Sequence, residues 1–323
     1  MSGSTVANTV IVSGLKSSGP KWLLASTIFL TYMLMVMGNL VTTTGSGLAC
    51  PDWPLCYGSV NPPKELSIWL EWGHRLIGGA TGILTIFSVA YMWKRANKAI
   101  RFFMKALVAL LLFVAVLGGV IVLVEAPLLN TFFRVALVSS HIILATIIFT
   151  SLILAFYAIS DFNLSDRKLY SLSLFAVIYF QVILGIVVRY SKSSLGCPDF
   201  PLCFGNVFPP SLEPKILLHY THRLFALGVF ILALWRMVKN YRQGREQKLV
   251  SAITFVLVLT QATIGSLIVL TKMFYPLLIL HGAMGFALLG WVAYQAAPYI
   301  VPPLKSGEEV GGEEGGVEMA GAG

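Results

Sequence analysis

Charge is what this sequence has least of. Asp, Glu, Lys and Arg together make up 11% of its 323 residues, less than half the share of about 25% in an ordinary soluble domain. With 57% hydrophobic residues and a mean hydropathy of +0.80, the chain cannot cover its own surface with water-binding groups. A soluble enzyme or a DNA-binding domain is therefore excluded, despite a net charge of +9. Acids are scarcer than their total of 14 implies, because Glu308, Glu309, Glu313, Glu314 and Glu318 all lie in a Gly-rich tail. The apolar body holds no aspartate cluster, which removes the metal-diphosphate chemistry of a prenyltransferase. Cysteine is scarce too, but the four present fall in two matched pairs.

Long apolar runs are abundant. Windows of about 20 apolar residues cross a bilayer as helices, and they occur near 22–43, 67–93, 106–125, 135–159, 169–190, 214–238, 249–271 and 276–297. The first is too long for the core of a signal peptide. These windows predict an all-α polytopic membrane protein with eight transmembrane helices. Basic residues concentrate in alternate loops: Lys94, Arg95, Lys98, Arg101 and Lys105, then Arg167 and Lys168, then Arg236, Lys239, Arg242, Arg245 and Lys248. The other loops carry chiefly Lys64, Arg134, Lys192 and Lys272. By the positive-inside rule both termini face the cytoplasm. The basic residues are topological anchors, and no nucleic-acid partner is needed to explain them.

The chain repeats itself at an offset of about 147 residues. Cys50-Pro51-Asp52-Trp53-Pro54-Leu55-Cys56 returns as Cys197-Pro198-Asp199-Phe200-Pro201-Leu202-Cys203, and Glu71-Trp72-Gly73-His74-Arg75-Leu76 is echoed by His219-Tyr220-Thr221-His222-Arg223-Leu224. An offset that holds an even number of spans leaves both halves in the same orientation. This predicts two pseudo-symmetric four-helix bundles, at 22–160 and 161–298, between a cytoplasmic segment at 1–21 and an acidic Gly-rich cytoplasmic tail at 299–323.

Orientation places the histidines. His74, His141, His222 and His281 each enter an even-numbered span from its outer end, about 9–12 Å deep at 1.5 Å per residue. Intramembrane imidazoles are costly and face the bundle interior. Four at one depth point to two ligand pairs, His74 with His141 and His222 with His281. Two imidazoles without a completing cysteine or carboxylate do not suit structural zinc and suit the axial positions of haem iron. Gly78, Gly79, Gly82, Gly282 and Gly285 offer room for a flat macrocycle or, equally, for close helix packing. Arg75 and Arg223 either pair with haem propionates or snorkel to the interface. Glu71 and His219 occupy equivalent positions three residues before a ligand candidate, on the same helical face. Glu71 is either a group that takes part in chemistry or an i,i+4 ion-pair partner of Arg75; Glu125 reads as an interfacial residue.

Both cysteine loops fall on the outer, oxidising side. Each pair, Cys50 with Cys56 and Cys197 with Cys203, closes a short proline-rich ring compatible with a local disulfide. Either the pairs relay electrons or they brace the loops.

Taken together, the eight spans, the Glu71-x-x-His74-Arg75 motif, the histidines on spans 4, 6 and 8 and the paired outer cysteines resemble the haem A synthase family, over roughly residues 20–300. The resemblance implies an oxidoreductase of a prokaryotic cytoplasmic membrane. It would oxidise a methyl group of haem O to a formyl group by two hydroxylations and loss of water, with water as the oxygen source, giving haem A for terminal oxidases. It further implies substrate haem O between His74 and His141, a haem b cofactor between His222 and His281, and Glu71 as the essential carboxylate. The partners implied are the haem O synthase that supplies the substrate, an electron acceptor outside the chain, and a second copy in a homo-oligomer. Many family members have a cysteine pair in only one outer loop, and His219 has no family role and stands as a competitor of His222 for ligation. The alternatives are a bis-histidine di-haem electron carrier, which leaves Glu71 and the cysteines without purpose, a quinone-linked thiol oxidoreductase, which has no need of four buried imidazoles, and a transporter.

Overall fold

The computed structural model describes residues 18–93, 98–124, 131–160 and 169–301. Eight helices follow one another: α1 (Ser18–Thr43), α2 (Leu66–Trp93), α3 (Lys98–Val124), α4 (Thr131–Ile159), α5 (Leu169–Tyr190), α6 (Pro214–Asn240), α7 (Arg245–Leu270) and α8 (Tyr275–Ile300). All eight are long and apolar enough to cross a membrane, and no strand occurs among the described residues. The protein is an all-α multi-pass membrane protein. Helices are the form that satisfies every backbone polar group without water. Buried threonine hydroxyls inside them obey the same demand: Thr31 Oγ1 bonds Thr27 O at 2.7 Å and Thr85 Oγ1 bonds Thr81 O at 2.8 Å, each one turn back.

The helices overrun the apolar windows in places. α3 starts at Lys98 rather than near 106, because helical hydrogen bonding continues past the hydrocarbon wherever basic side chains can reach the interface. Arg101 and Lys105 do so while stacking over Trp93 at 5.7 and 5.8 Å. Lys94, Arg95, Glu125, Arg167, Lys168, the first 17 residues and the acidic tail lie outside the described residues.

Contacts close two rings of four helices. α1 packs on α2 and α4, and α3 on α2 and α4; α5 packs on α6 and α8, and α7 on α6 and α8. Leu24, Met92, Met104, Ile148 and Leu152 fill the first ring, and Leu174, Ile178, Val229, Val258 and Val292 fill the second. Between the rings, α1 and α4 meet α8, and α4 meets α5, around Met35, Phe149, Ile153, Phe286 and Ala293. Asn39 Nδ2 on α1 donates to the main-chain oxygens of Leu278 (3.3 Å) and Ile279 (3.1 Å) on α8. Within the first ring, α2 and α3 touch only lightly, whereas α6 and α7 pack closely.

The α1–α2 and α5–α6 connections carry the cysteine pairs, and both are built alike. Disulfides join Cys50 to Cys56 and Cys197 to Cys203. The Asp52 carboxylate accepts N–H bonds from Tyr57 and Gly58, both at 2.6 Å; Asp199 accepts them from Phe204 at 2.8 Å and Gly205 at 2.7 Å. All four donors sit in the left-handed region, with Tyr57 and Phe204 both at φ 56°. Such a conformation is costly for a bulky aromatic residue, and the carboxylate is what offsets it.

The Gly58 N–H, more than any other group, holds the Asp52 carboxyl below its usual range, and Gly205 does the same for Asp199. A carboxyl lowered by folding stabilises the loop above its unfolded value of about 3.9, and that contribution disappears as pH falls through the lower folded value. The loops should therefore stay closed from about pH 5 upwards. Asp52→Asn, which has one acceptor oxygen instead of two, should speed phosphine reduction of the Cys50–Cys56 bridge severalfold at neutral pH. Equal rates in the two proteins would show that the carboxylate does not hold the loop.

Candidate functional site

The four histidines of the even-numbered helices share one construction. Each imidazole lies against a glycine of the preceding helix: His74 on Gly38, His141 on Gly118, His222 on Gly185 and His281 on Gly265. A Cβ on those glycines would stand 3.0, 3.1, 3.2 and 3.1 Å from the ring Cε1, respectively. Real Cβ atoms rarely come that close, so an ordinary side chain would push the ring away. Every one of these glycines falls in the last turns of its helix and every histidine in the first turns of the next. The four rings therefore sit at the end of the molecule that carries the cysteine loops.

The rings face a defined way. The Nδ1 atoms of His74, His141 and His281 are buried and make no hydrogen bond of good geometry, although the backbone of Leu34, Val114 and Gln261, one turn before each glycine, stands beside them. His222 Nδ1 meets the Gln181 amide nitrogen at 3.1 Å. All four residues are only half-buried, so in the three rings with a buried Nδ1 the accessible part lies on another edge. His74 and His141 are near enough to interact electrostatically, as are His222 and His281.

Among the described residues no group of three His, Cys, Asp or Glu side chains gathers where it could hold a metal ion. Two imidazoles per site, each with a half-open ring and a glycine behind it, are an incomplete set for zinc and a complete axial set for haem iron. The residues present fit haem.

Glu71 lies three residues before His74 and is 3% exposed. Its Oε2 accepts the Cys50 N–H at 2.8 Å, and its Oε1 takes the Arg75 guanidinium at 2.6 Å. Arg75 also donates to the main-chain oxygens of Asp52, at 2.6 Å, and Leu55. The second half copies this clamp with one exchange. His219 Nδ1 accepts the Cys197 N–H at 3.1 Å, and Arg223 donates to Leu202 O at 2.9 Å and Cys197 O at 2.8 Å. His219 thus does the loop-holding work of Glu71, which accounts for a histidine the sequence left without a role.

Several assignments needed the structure. Both arginines grip loop carbonyls, a use that neither propionate pairing nor snorkelling anticipates, because the loops fold back over the helices that carry them. The glycines that meet imidazoles lie on α1, α3, α5 and α7. Of those singled out from sequence, Gly79 faces open space, Gly78 meets Leu34 and Gly282 meets Asn39. Trp53 of the first loop lies on Gly119 of α3, where a Cβ would stand 2.7 Å from its ring, next to the Gly118 that backs His141. The loop therefore roofs the first histidine pair.

A family profile described as "Cytochrome oxidase assembly protein", COX15-CtaA, matches residues 21–293. The chain belongs to this family. Among curated relatives, "Heme A synthase" of Bacillus cereus (strain 03BB102) is 30% identical over 285 residues, 85% of this chain and 91% of the relative. "Heme A synthase" of Alkalihalophilus pseudofirmus is 30% identical over 275 residues, 81% of this chain and 91% of the relative. That of Shouchella clausii is 30% identical over 252 residues, 74% and 83% of the two chains. Family membership favours the synthase reading over an electron carrier, a thiol oxidoreductase or a transporter.

The glycine contacts make a sharp prediction. Gly118→Ala should displace the His141 ring and lower haem occupancy of the first pair roughly tenfold, the scale of losses when a ligand's outer support is disturbed. Gly79→Ala, a Cβ added in open space, should leave it unchanged. Haem content of the two purified variants decides, and equal occupancy would show that the Gly118 contact does not position His141.

Proposed function

We propose that this chain is a haem A synthase, an oxidoreductase that converts a methyl group of haem O into a formyl group. The observation that carries the reading is the exchange of Glu71 for His219 within a duplicated clamp. Both side chains hold a cysteine-loop N–H, but only Glu71 adds a buried negative charge, three residues from a ligand candidate.

On this reading His74 and His141 take the substrate haem O, and His222 and His281 hold haem b. The light contact between α2 and α3 supports sideways access from the bilayer to the first pair, as a prenylated substrate requires. The close packing of α6 on α7 suits a resident group.

Oxidation of the methyl group by two successive hydroxylations balances as R–CH3 + 2 H2O → R–CH(OH)2 + 4 e⁻ + 4 H⁺, and loss of one water then leaves R–CHO. Water is the oxygen source, and an acceptor outside the chain removes the electrons. Haem b supplies a redox centre of suitable type at the second pair. Glu71 has both carboxyl oxygens fixed, one by the Cys50 N–H and one by the Arg75 guanidinium. It is preorganised to stabilise positive charge developing at the methyl carbon, and its free lone pairs can orient and deprotonate water. The disulfides brace the lid: all four cysteines are at most 1% exposed, which disfavours exchange with an external thiol. The distribution of basic loops favours the outer face of a prokaryotic cytoplasmic membrane for this lid, and a haem O synthase is the partner that supplies substrate.

Extraction of haem from the purified protein should yield haem b together with haem O or haem A. Glu71→His copies the second half's clamp, keeping an acceptor for Cys50 N–H while removing the charge. It should retain haem and form haem A at least about 100-fold more slowly, the lower end of what a positioned acid–base group contributes. Turnover at the wild-type rate in that variant would remove Glu71 from the chemistry.

A further inference from the structure

The second ring of helices is closed where the first is open, at equivalent positions of the repeat. From α6 the core of the second ring takes Val229, Phe230, Leu232 and Ala233, starting about two turns below His222. From α2 the corresponding cluster of the first ring takes Val89, Met92 and Trp93, starting about four turns below His74. The repeat aligns Phe230 of α6 with Gly82 of α2, and Phe255 of α7 with Val108 of α3. Phe230 and Phe255 meet with ring centroids 5.4 Å apart and so shut the seam between their helices. At Gly82 an added Cβ would find one atom within reach, a Leu111 methyl at 4.0 Å.

Close packing does not account for this glycine. After proline, glycine is the poorest helix former, and inside membranes it is kept where two helices approach. Here α2 and α3 touch only lightly. What the position keeps is space, about 12 Å from His74 toward the middle of the bilayer, and its neighbours Ile83, Ile86 and Leu112 are exposed and apolar. The two haems of the proposed function differ as the two seams do. Haem O carries a long prenyl tail where haem b has a vinyl group, and both carry two propionates. Propionates need water or cations and belong at the outer boundary, which turns the opposite, apolar edge toward the bilayer centre. That edge bears the tail. Beneath the first pair the interior is filled by Leu24, Met92, Met104, Ile148 and Leu152, so a tail has to leave sideways.

Resting on the reading that His74 and His141 take haem O, we propose that the seam beside Gly82 and Val108 seats the prenyl tail and selects haem O for the first pair, while Phe230 and Phe255 bar that tail from the second. The selection is steric, since the tail lies among apolar groups whether it is bound or dissolved in lipid. A seated tail also fixes the rotation of the macrocycle about the axis through the iron and its two imidazoles. It thereby decides which methyl group is presented for oxidation.

Exchanging the seams tests this. The full chain, purified with its second-site haem, is titrated with haem O and with haem b in one detergent, and binding at the first pair is followed by difference spectra. The wild-type protein should prefer haem O. Gly82→Phe combined with Val108→Phe should erase that preference by weakening haem O alone, roughly tenfold or more, the scale of forcing a group into an occupied space. The reverse exchange, Phe230→Gly with Phe255→Val, should let haem O displace haem b from the second pair, a gain that a folding defect does not produce. Equal weakening of both haems by the first exchange, an unaltered preference, or continued exclusion of haem O from the opened second seam would overturn the proposal. His74→Ala with haem O still bound at the first pair would instead overturn the ligand reading beneath it.

Discussion

A flat ring needs a flat place to rest, and inside a membrane bundle the backbone of a neighbouring helix provides one wherever a residue has no side chain. Four glycine–histidine contacts, one in each consecutive helix pair, use that fact at the same end of the protein. Much else at that end depends on them. They set how deeply each ring lies and bury Nδ1 in three of the four. In the first ring of helices, Gly118 backs His141 while its neighbour Gly119 receives Trp53 from the lid, so ligand and roof rest on successive residues of one helix.

The lid separates a structural task from a chemical one. In both halves the loop folds back so that the first cysteine N–H points at the side chain three residues before a ligand candidate, and an arginine one turn on holds the loop carbonyls. Imidazole performs this task in the second half, so the task does not require charge. The carboxylate of Glu71 therefore brings more than the fold asks of it. A carboxyl group paired with a guanidinium and with both oxygens fixed has already met its ordering and desolvation costs before substrate binds. That is the condition under which electrostatics assists a reaction most.

Much of this was legible in the sequence because the bilayer imposes simple rules. Scarce charge and apolar runs disclosed the eight helices, and their alternation up and down brought four scattered histidines to one end. The repeat by itself made Glu71 and His219 equivalent. What remained hidden were contacts between helices and between loop and helix. Nothing local marks Gly38 as the partner of His74 rather than Gly78, which is nearer along the chain. The grip of Arg75 on the carbonyls of Asp52 and Leu55 depends on a loop that returns over its own helix. Helix ends shifted for a related reason: hydrophobicity reports the lipid, whereas hydrogen bonding continues beyond it.

The two rings of helices are joined where their sites approach each other. Gly38 backs His74, and the next residue, Asn39, reaches across to α8. There its amide donates to the Leu278 and Ile279 carbonyls and fills the space that a Cβ on Gly282 would need. Gly282 follows His281 directly. From one histidine site to the other there are thus two van der Waals contacts and two steps along the chain, with no loop between. Close-packed interiors do not deform continuously, so a boundary this thin fixes the relative position of the two pairs. Under the proposed function, in which oxidation at the first pair passes electrons to the second, that fixed separation matters alongside the identity of the ligands.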